Sequence, residues 1–434
     1  MIEENYLNDN SKAVPLKMLM DVAERGLALL EQVDGEVDDQ YTVLKYYVDA
    51  LVPYIKDSLK KEEAGWPVVG HHFAFPAEIL YYFDVVPICV EAMSYAFAII
   101  AQHGIESYID TMDAYGTPFH TCSAQKGVLG MSLEKLFKFD LLATPSGPCD
   151  NTIASYPVFQ TLQEQQKVKV LDVPYYRDER SLDYFTGEIT NLVDELSDFF
   201  GQEPNEEKFK KAIEYENKNI TLIRELNELK KAVPCPVGSV VALLNATMNV
   251  GLPARQERAT YYEKLIQYAK KNYKEGIKPT GEEKIRSIWP NMCIYYQTNY
   301  AKFLDKRRGV TILFDVFNYN FHDPINLNKD LDDIYKQLAL QCLNYPMARQ
   351  AAGYANQMIE DTVFLSREYK ADCAIFTNHL SCKSLQPIIQ LLREALRDEL
   401  GIPLLSIDID IGDKRVNPFR TIKKEVDTFL KTMF

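Results

Sequence analysis

Asp140-Leu-Leu-Ala-Thr-Pro-Ser-Gly-Pro-Cys149-Asp150 reads as an apolar strand that stops in a turn of small residues and hands a cysteine to the start of a helix. The same design recurs at Asp372-Cys-Ala-Ile-Phe-Thr-Asn-His-Leu-Ser-Cys382. Short apolar runs bounded by turn residues mark the strands of a parallel sheet, because both of its faces are buried. In open α/β folds, ligands bind beyond the carboxyl ends of such strands. A following helix adds free N–H groups and a positive dipole that favour a thiolate. Cys149 and Cys382 therefore stand where a sheet of this kind presents its ligands. Cys122, in His120-Thr-Cys122-Ser-Ala-Gln-Lys-Gly127, is a third candidate.

Working outward from these two turns, residues 67–180 alternate strand-like runs (66–71, 85–90, 139–144 and 168–173) with helical ones, which predicts a parallel sheet. The pattern returns over 283–434, with strand candidates at 310–316, 373–377 and 403–407. Residues 1–66 carry Leu16, Leu19, Ala23, Leu27 and Leu30 at helical spacing and read as an N-terminal helical region. Residues 181–282, rich in Glu, Lys and Asn with long helical periodicity over 206–231 and 261–274, read as a helical connector. The expected fold is α/β: two Rossmann- or flavodoxin-like lobes, the second repeating the first in structure rather than in sequence.

Composition narrows the function. A chain of 434 residues, 47% apolar and 25% charged, is an ordinary globular sequence with room for more than one core. A net charge of −14 without a long basic run argues against nucleic acid as a partner. The apolar stretch 85–102 has the length of a membrane span, but Glu91 interrupts it and Val85-Val-Pro87 opens it, so a buried strand and helix is the expectation. The N-terminus lacks a basic segment followed by an apolar one, which predicts a cytoplasmic protein whose cysteines are not paired as disulfides. Its eight cysteines then pack, catalyse or bind metal. Cys89, Cys293, Cys342 and Cys373 sit in apolar or aromatic runs and read as packing, whereas Cys235 fits either role. No C-x-x-C pair occurs, so a metal cluster would have to be assembled from distant loops. Phosphate-cradling, dinucleotide-binding, nucleophile-elbow and zinc-protease motifs are all missing.

The ordered landmarks Pro76-x-Glu78, Phe83-Asp-Val-Val-Pro87, Cys122-Ser123, Cys149-Asp150, Cys382, Gly401-Ile-Pro403 and Asp410-x-x-Asp413-x-Arg415 resemble the 2-hydroxyacyl-CoA dehydratase and benzoyl-CoA reductase family. The resemblance covers residues 66–434. It departs at Trp289-Pro-Asn-Met-Cys293, where many relatives carry glycine. By resemblance, Cys122, Cys149 and Cys382 hold a [4Fe–4S] cluster between two lobes, and the chain pairs with a homologous second subunit as a hetero- or homodimer. The resemblance further implies a lyase acting on an (R)-2-hydroxyacyl-CoA thioester. One electron on the thioester carbonyl makes a ketyl radical, hydroxide leaves, the third-carbon proton becomes acidic, and a 2-enoyl-CoA results. A separate ATP-hydrolysing iron–sulfur activator would supply the electron, in keeping with the lack of a nucleotide motif here.

Two alternatives lie within the same family: a benzoyl-CoA reductase-type subunit, and a double-cubane reductase with an [8Fe–9S] cluster that would recruit Cys235, Cys293 or Cys342. A third, of another class, is a non-enzymatic two-lobed binding protein whose cysteines merely pack. Acid–base candidates are His72 and Glu78, with His71 beside them, in the loop after the first strand, and His379 three residues before Cys382. Ser123, Ser146 and Ser381 are candidate donors to cluster sulfur. For Asp410, Asp413 and Arg415 the expectation is an ion pair that fixes the C-terminal loop. Lys126 is read as either a partner for cluster or phosphate charge or an exposed lysine.

Overall fold

The computed structural model describes residues 11–31, 39–100, 104–163, 166–297, 299–352 and 355–434. Among these, the apolar runs form eight strands: β1 (Val68–His71), β2 (Val86–Cys89), β3 (Leu141–Pro145), β4 (Val168–Leu171), β5 (Ile285–Ile288), β6 (Val310–Phe314), β7 (Cys373–His379) and β8 (Leu404–Ile409). They make two four-stranded parallel sheets of identical order, β2-β1-β3-β4 and β6-β5-β7-β8. The expected two-lobed α/β architecture is thus present, and the repeat lies in the topology.

The order matters because the chain reverses direction across each sheet between β1 and β3, and between β5 and β7. Such a reversal leaves a crevice beyond the carboxyl ends of the two central strands. β1, β2, β3, β5, β6 and β7 are buried throughout, as strands covered on both faces must be. The edge strand β4 is half-open to solvent. Gly70 shows how tightly the first sheet is covered: a Cβ there would meet Leu142 at 2.6 Å and Val90 at 3.0 Å.

The 85–102 stretch resolves into β2 and the helix Val90–Ile100, with residues 101 and 102 outside the described ones. No described helix is long and apolar enough to cross a membrane. The N-terminal helices Val14–Glu31 and Asp39–Glu63 pack on one another and bury Leu16, Leu19 and Ala23; the side chains of Leu27 and Leu30 lie outside the described residues. Between the two sheets in sequence come the helices Glu179–Phe200, Glu206–Leu229, Val240–Gly251 and Gln256–Glu275. Val240–Gly251 is apolar on nearly every side and touches both β2 and β6, so one core runs from the first sheet into the second. The helix Leu331–Leu343, which follows β6 in sequence, packs on Glu179–Phe200 in the core of the first lobe.

Candidate functional site

Three cysteines meet where the loops of the two sheets face each other. Cys149 ends the turn after β3 and is the N-cap of the helix Asp150–Leu162. Cys122 is the N-cap of the helix Ser123–Leu133, which lies in the crossover from β2 to β3. Cys382 lies in the turn after β7, its N–H donating to the carbonyl of His379 at 2.8 Å. All three are half-buried, whereas Cys89, Cys235, Cys293, Cys342 and Cys373 are buried. One side chain ties the three turns together: Asn151 accepts the backbone N–H of Cys122 at Oδ1 (3.0 Å) and donates from Nδ2 to the carbonyl of Ser381 (3.1 Å).

Burial pushes the Cys122 thiol well above its ordinary value, and charge on Cys149 pushes it further. Burial raises Cys149 too, against the hydroxyl of Thr152, and lifts Cys382 to about 11. Binding of a metal would remove those protons, since thiolates are the ligands. Among the described residues, no three His, Cys, Asp or Glu side chains converge closely enough to share a single ion. A four-iron cluster makes a different demand: each thiolate takes its own iron, and the sulfurs stand apart around the cluster. Three half-buried thiols from three turns, two of them at helix N-termini, fit that donor set.

His379, at the end of β7, stands with Nε2 3.4 Å from the sulfur of Cys122, while its Nδ1 lies 3.7 Å from a carboxylate oxygen of Asp410. Burial lowers its pKa and the Asp410 carboxylate opposes the shift. His72 is fully buried, which depresses it to about 3. Its Nδ1 accepts the N–H of Ala74 at 3.0 Å and its Nε2 lies 3.1 Å from the hydroxyl of Thr152, itself 3.3 Å from the sulfur of Cys149. His71 bonds the carbonyl of His72 through Nδ1 (3.1 Å).

Glu78 is not in this cluster. It lines a separate cavity of about 50 Å³ with Glu216, Arg258, His322 and Tyr345, and accepts the hydroxyl of Tyr345 at 3.1 Å. Burial, then repulsion from Glu216, raises Glu78 to about 7.

Other candidates have structural partners. Ser123 accepts the N–H of Gly412 at 3.2 Å, which joins the helix of Cys122 to the loop after β8. Ser146 donates to Asp172 (2.8 Å) and accepts the N–H of Val173 (2.8 Å), while the backbone carbonyl of Ser381 serves Asn151. Lys126 is buried rather than exposed, its ammonium held by Asp113 at 2.5 Å and the carbonyl of Phe119 at 3.3 Å. Arg415 pairs with Asp413 and reaches across to both carboxylate oxygens of Asp110, at 2.8 and 2.9 Å, while Asp410 caps the N–H groups of Gly412 and Asp413. These contacts fix the C-terminal loop.

Sequence reasoning missed Asn151, Thr152 and Glu91. Glu91, buried beneath the loop after β1, accepts from Phe73 N–H (3.1 Å), Gln125 (2.8 Å) and Tyr156 (3.0 Å), and so binds that loop to the helices that carry Cys122 and Cys149. A lone carboxylate inside an apolar run was the signal for it, since a buried charge needs donors. Beside Cys149 opens a groove of about 540 Å³ walled by Pro148, Val173, Tyr175, Arg177 and Cys342, and by Lys383, whose ammonium is paired with Asp150 at 2.6 Å. That volume suits a small-molecule site.

Residues 72–433 match the family model described as 2-hydroxyglutaryl-CoA dehydratase, D-component. No curated protein matches the chain.

Proposed function

The chain belongs to the 2-hydroxyglutaryl-CoA dehydratase D-component family, and from that premise we propose that it is the iron–sulfur subunit that eliminates water from an (R)-2-hydroxyacyl-CoA. The family makes it one component of a multi-subunit dehydratase. The observation that supports the finer reading is the tie made by Asn151: one buried amide holds the turns of three half-buried cysteines at the switch points of two sheets.

Cys122, Cys149 and Cys382 would hold a [4Fe–4S] cluster. Bound there, a cluster with three thiolates leaves one iron free to take an oxygen ligand and can pass one electron at a time. The remaining chemistry falls to the chain. His379 is buried beside Cys122 and is held neutral, so it offers hydrogen bonds without adding charge to the site. Glu91 and Asn151 keep the loop and the two helix starts in place. Of the acid–base candidates, burial holds His71 and His72 well below neutral pH, whereas burial and Glu216 lift Glu78, in its separate cavity, to about 7. A thioester would enter by the groove beside Cys149. The electron would come from a separate ATP-hydrolysing iron–sulfur activator, and a homologous second subunit would complete the enzyme.

Iron and sulfide analysis with electron paramagnetic resonance, on chain purified without oxygen, tests this. About four irons per chain are expected. About eight would favour the double-cubane relative, with Cys342, which lines the same groove as Cys149, as the added ligand. No iron, with every thiol free, would leave the non-enzymatic binding protein.

A further inference from the structure

The hydrogen-bond direction around Cys149 is set by groups whose protons are not adjustable. The backbone N–H of Ala74 points at Nδ1 of His72 from 3.0 Å, and an amide can only donate. Nδ1 is therefore the acceptor. An imidazolium, with a hydrogen on both nitrogens, would set two donors against each other, so the ring is neutral and its one hydrogen sits on Nε2. Nε2 has Thr152 Oγ1 at 3.1 Å. The other oxygen nearby, Oε1 of Glu91, is 3.7 Å away and already accepts from Gln125 and Tyr156. Thr152 thus accepts from His72, and its own hydrogen is left for the sulfur of Cys149 at 3.3 Å. His72 and Thr152 are both buried, at 0% and 1% exposure, so water does not compete for these bonds.

We propose that His72 and Thr152 form a directed donor relay that places an O–H bond on the Cys149 sulfur and thereby sets how readily a cluster held there accepts an electron. The proposal rests on the iron–sulfur reading above. Both are positioning residues: neither touches substrate, and no proton moves. A donor at a cluster thiolate binds the more negative, reduced state more strongly, so it raises the reduction potential. Cys149 alone of the three receives a hydroxyl oriented by a second side chain. Cys122 has the imidazole of His379 near its sulfur, and Cys382 is held through its backbone.

The experiment is a redox titration followed by electron paramagnetic resonance on the full chain, purified without oxygen or loaded with ferrous iron and sulfide. Thr152→Val keeps the shape and removes the hydroxyl. Thr152→Ser keeps the hydroxyl. His72→Asn keeps an acceptor for Ala74 but no longer reaches Thr152. At unchanged iron content, Thr152→Val is expected to shift the reduction equilibrium about tenfold toward the oxidised cluster, about 59 mV for one electron. His72→Asn should shift it less in the same direction, and Thr152→Ser should restore the wild-type value. A Thr152→Val midpoint equal to wild type overturns the relay. Should Thr152→Val fail to hold iron, His72→Asn decides, an unchanged midpoint overturning the relay and a lower one supporting it.

Wild-type chain that binds no iron would instead overturn the iron–sulfur reading. The bond is then read on the free thiol, because a donor at sulfur favours the thiolate. Cys149 should be alkylated by iodoacetamide more slowly in Thr152→Val than in wild type, and equal rates would overturn the relay on its own terms.

Discussion

The two sheets run their strands in the same order, yet their switch points are furnished differently. In the first lobe the turn after β3 passes straight into a 13-residue helix, and the first residues of that helix, Asn151 and Thr152, reach into the cysteine cluster. The loop after β1 adds His72, and the crossover from β2 to β3 adds Cys122. In the second lobe the turn after β7 passes through a short 3-10 turn, Gln386–Ile388, before the 12-residue helix Ile389–Leu400 begins, and the position after β5 is taken by Trp289, wholly buried with its indole N–H on Ser287 at 3.2 Å. That lobe contributes one cysteine and His379, together with contacts that reach across: Gly412 to Ser123, Lys383 to Asp150, and Arg415 to Asp110. One scaffold has thus been used twice, once to carry most of the polar chemistry and once chiefly to close over it.

The largest effect should come from removing ligands. Cys122→Ala, Cys149→Ala and Cys382→Ala are each expected to abolish iron retention and dehydration, while Cys89→Ala, in the buried β2, should retain iron. If Cys382→Ala kept a full iron content, the cluster would belong to the first lobe alone, and the comparison between lobes would break.

A smaller loss is expected at Asn151, whose amide joins the turn of Cys122 to that of Ser381 in the other lobe. Asn151→Ala would leave the N–H of Cys122 and the carbonyl of Ser381 without their partner, and an orphaned buried group costs about 1–3 kcal/mol. Thermal melting should fall accordingly, and iron should leave the variant faster under a chelator than it leaves wild type. Unchanged iron release would mean that the cysteine turns hold their positions independently.

The difference between what was legible and what was not follows the same division. The strand segments are short, largely apolar runs, and each ends in a turn, so β1 to β4 and β6 to β8 were visible, along with the cysteines just beyond β3 and β7. β7 runs on to His379 because Asn378 and His379 still pair with β8, which the polar residues concealed. Asn151 was not legible: the carbonyl it bonds is 230 residues away in sequence. Thr152 looks like any early-helix threonine until His72 is placed beside it. Lys126 was open between a partner for cluster or phosphate charge and an exposed lysine, and its partner, Asp113, lies on the preceding helix Glu106–Ala114. Cys122 came mainly by resemblance, since it caps a helix inside a crossover and no strand points to it. In short, local pattern revealed what each lobe builds alone, and the seam between lobes stayed hidden.

Glu78 sharpens the comparison at that seam, because its cavity is shared by residues of both halves. Its native pKa, about 7, lies above the ordinary carboxylate range, so the folded chain binds that proton more tightly than the unfolded one. Stability contributed this way is present at low pH and is lost as pH rises from about 5 to about 7. Facing it are Glu216, where burial raises the pKa but Arg258 outweighs it, and His322, which burial lowers to about 4. Glu78→Gln, neutral at every pH, should therefore melt closer to wild type at pH 5 and above it at pH 8. Equal differences at the two pH values would show that Glu78 does not titrate in this window.

The smallest effect is expected at Arg415, although its bidentate contact with Asp110 is the most conspicuous ion pair between the lobes. Both side chains are more than half exposed, at 51% and 57%. Exposed pairs contribute about 0–1 kcal/mol, because water screens the attraction and two long side chains lose freedom to make it. Arg415→Gln should therefore change melting little, and less still in high salt, where screening falls to a few ångströms. The closure is better explained by packing. A Cβ on Gly412 would lie 2.7 Å from Ile105 and 3.1 Å from the hydroxyl of Ser123, so the loop after β8 rests directly on the helix that starts at Cys122. If Arg415→Gln released iron as fast as Asn151→Ala, the second lobe would be held shut by charge rather than by that contact. Its role would then vary with ionic strength in a way the packing does not predict.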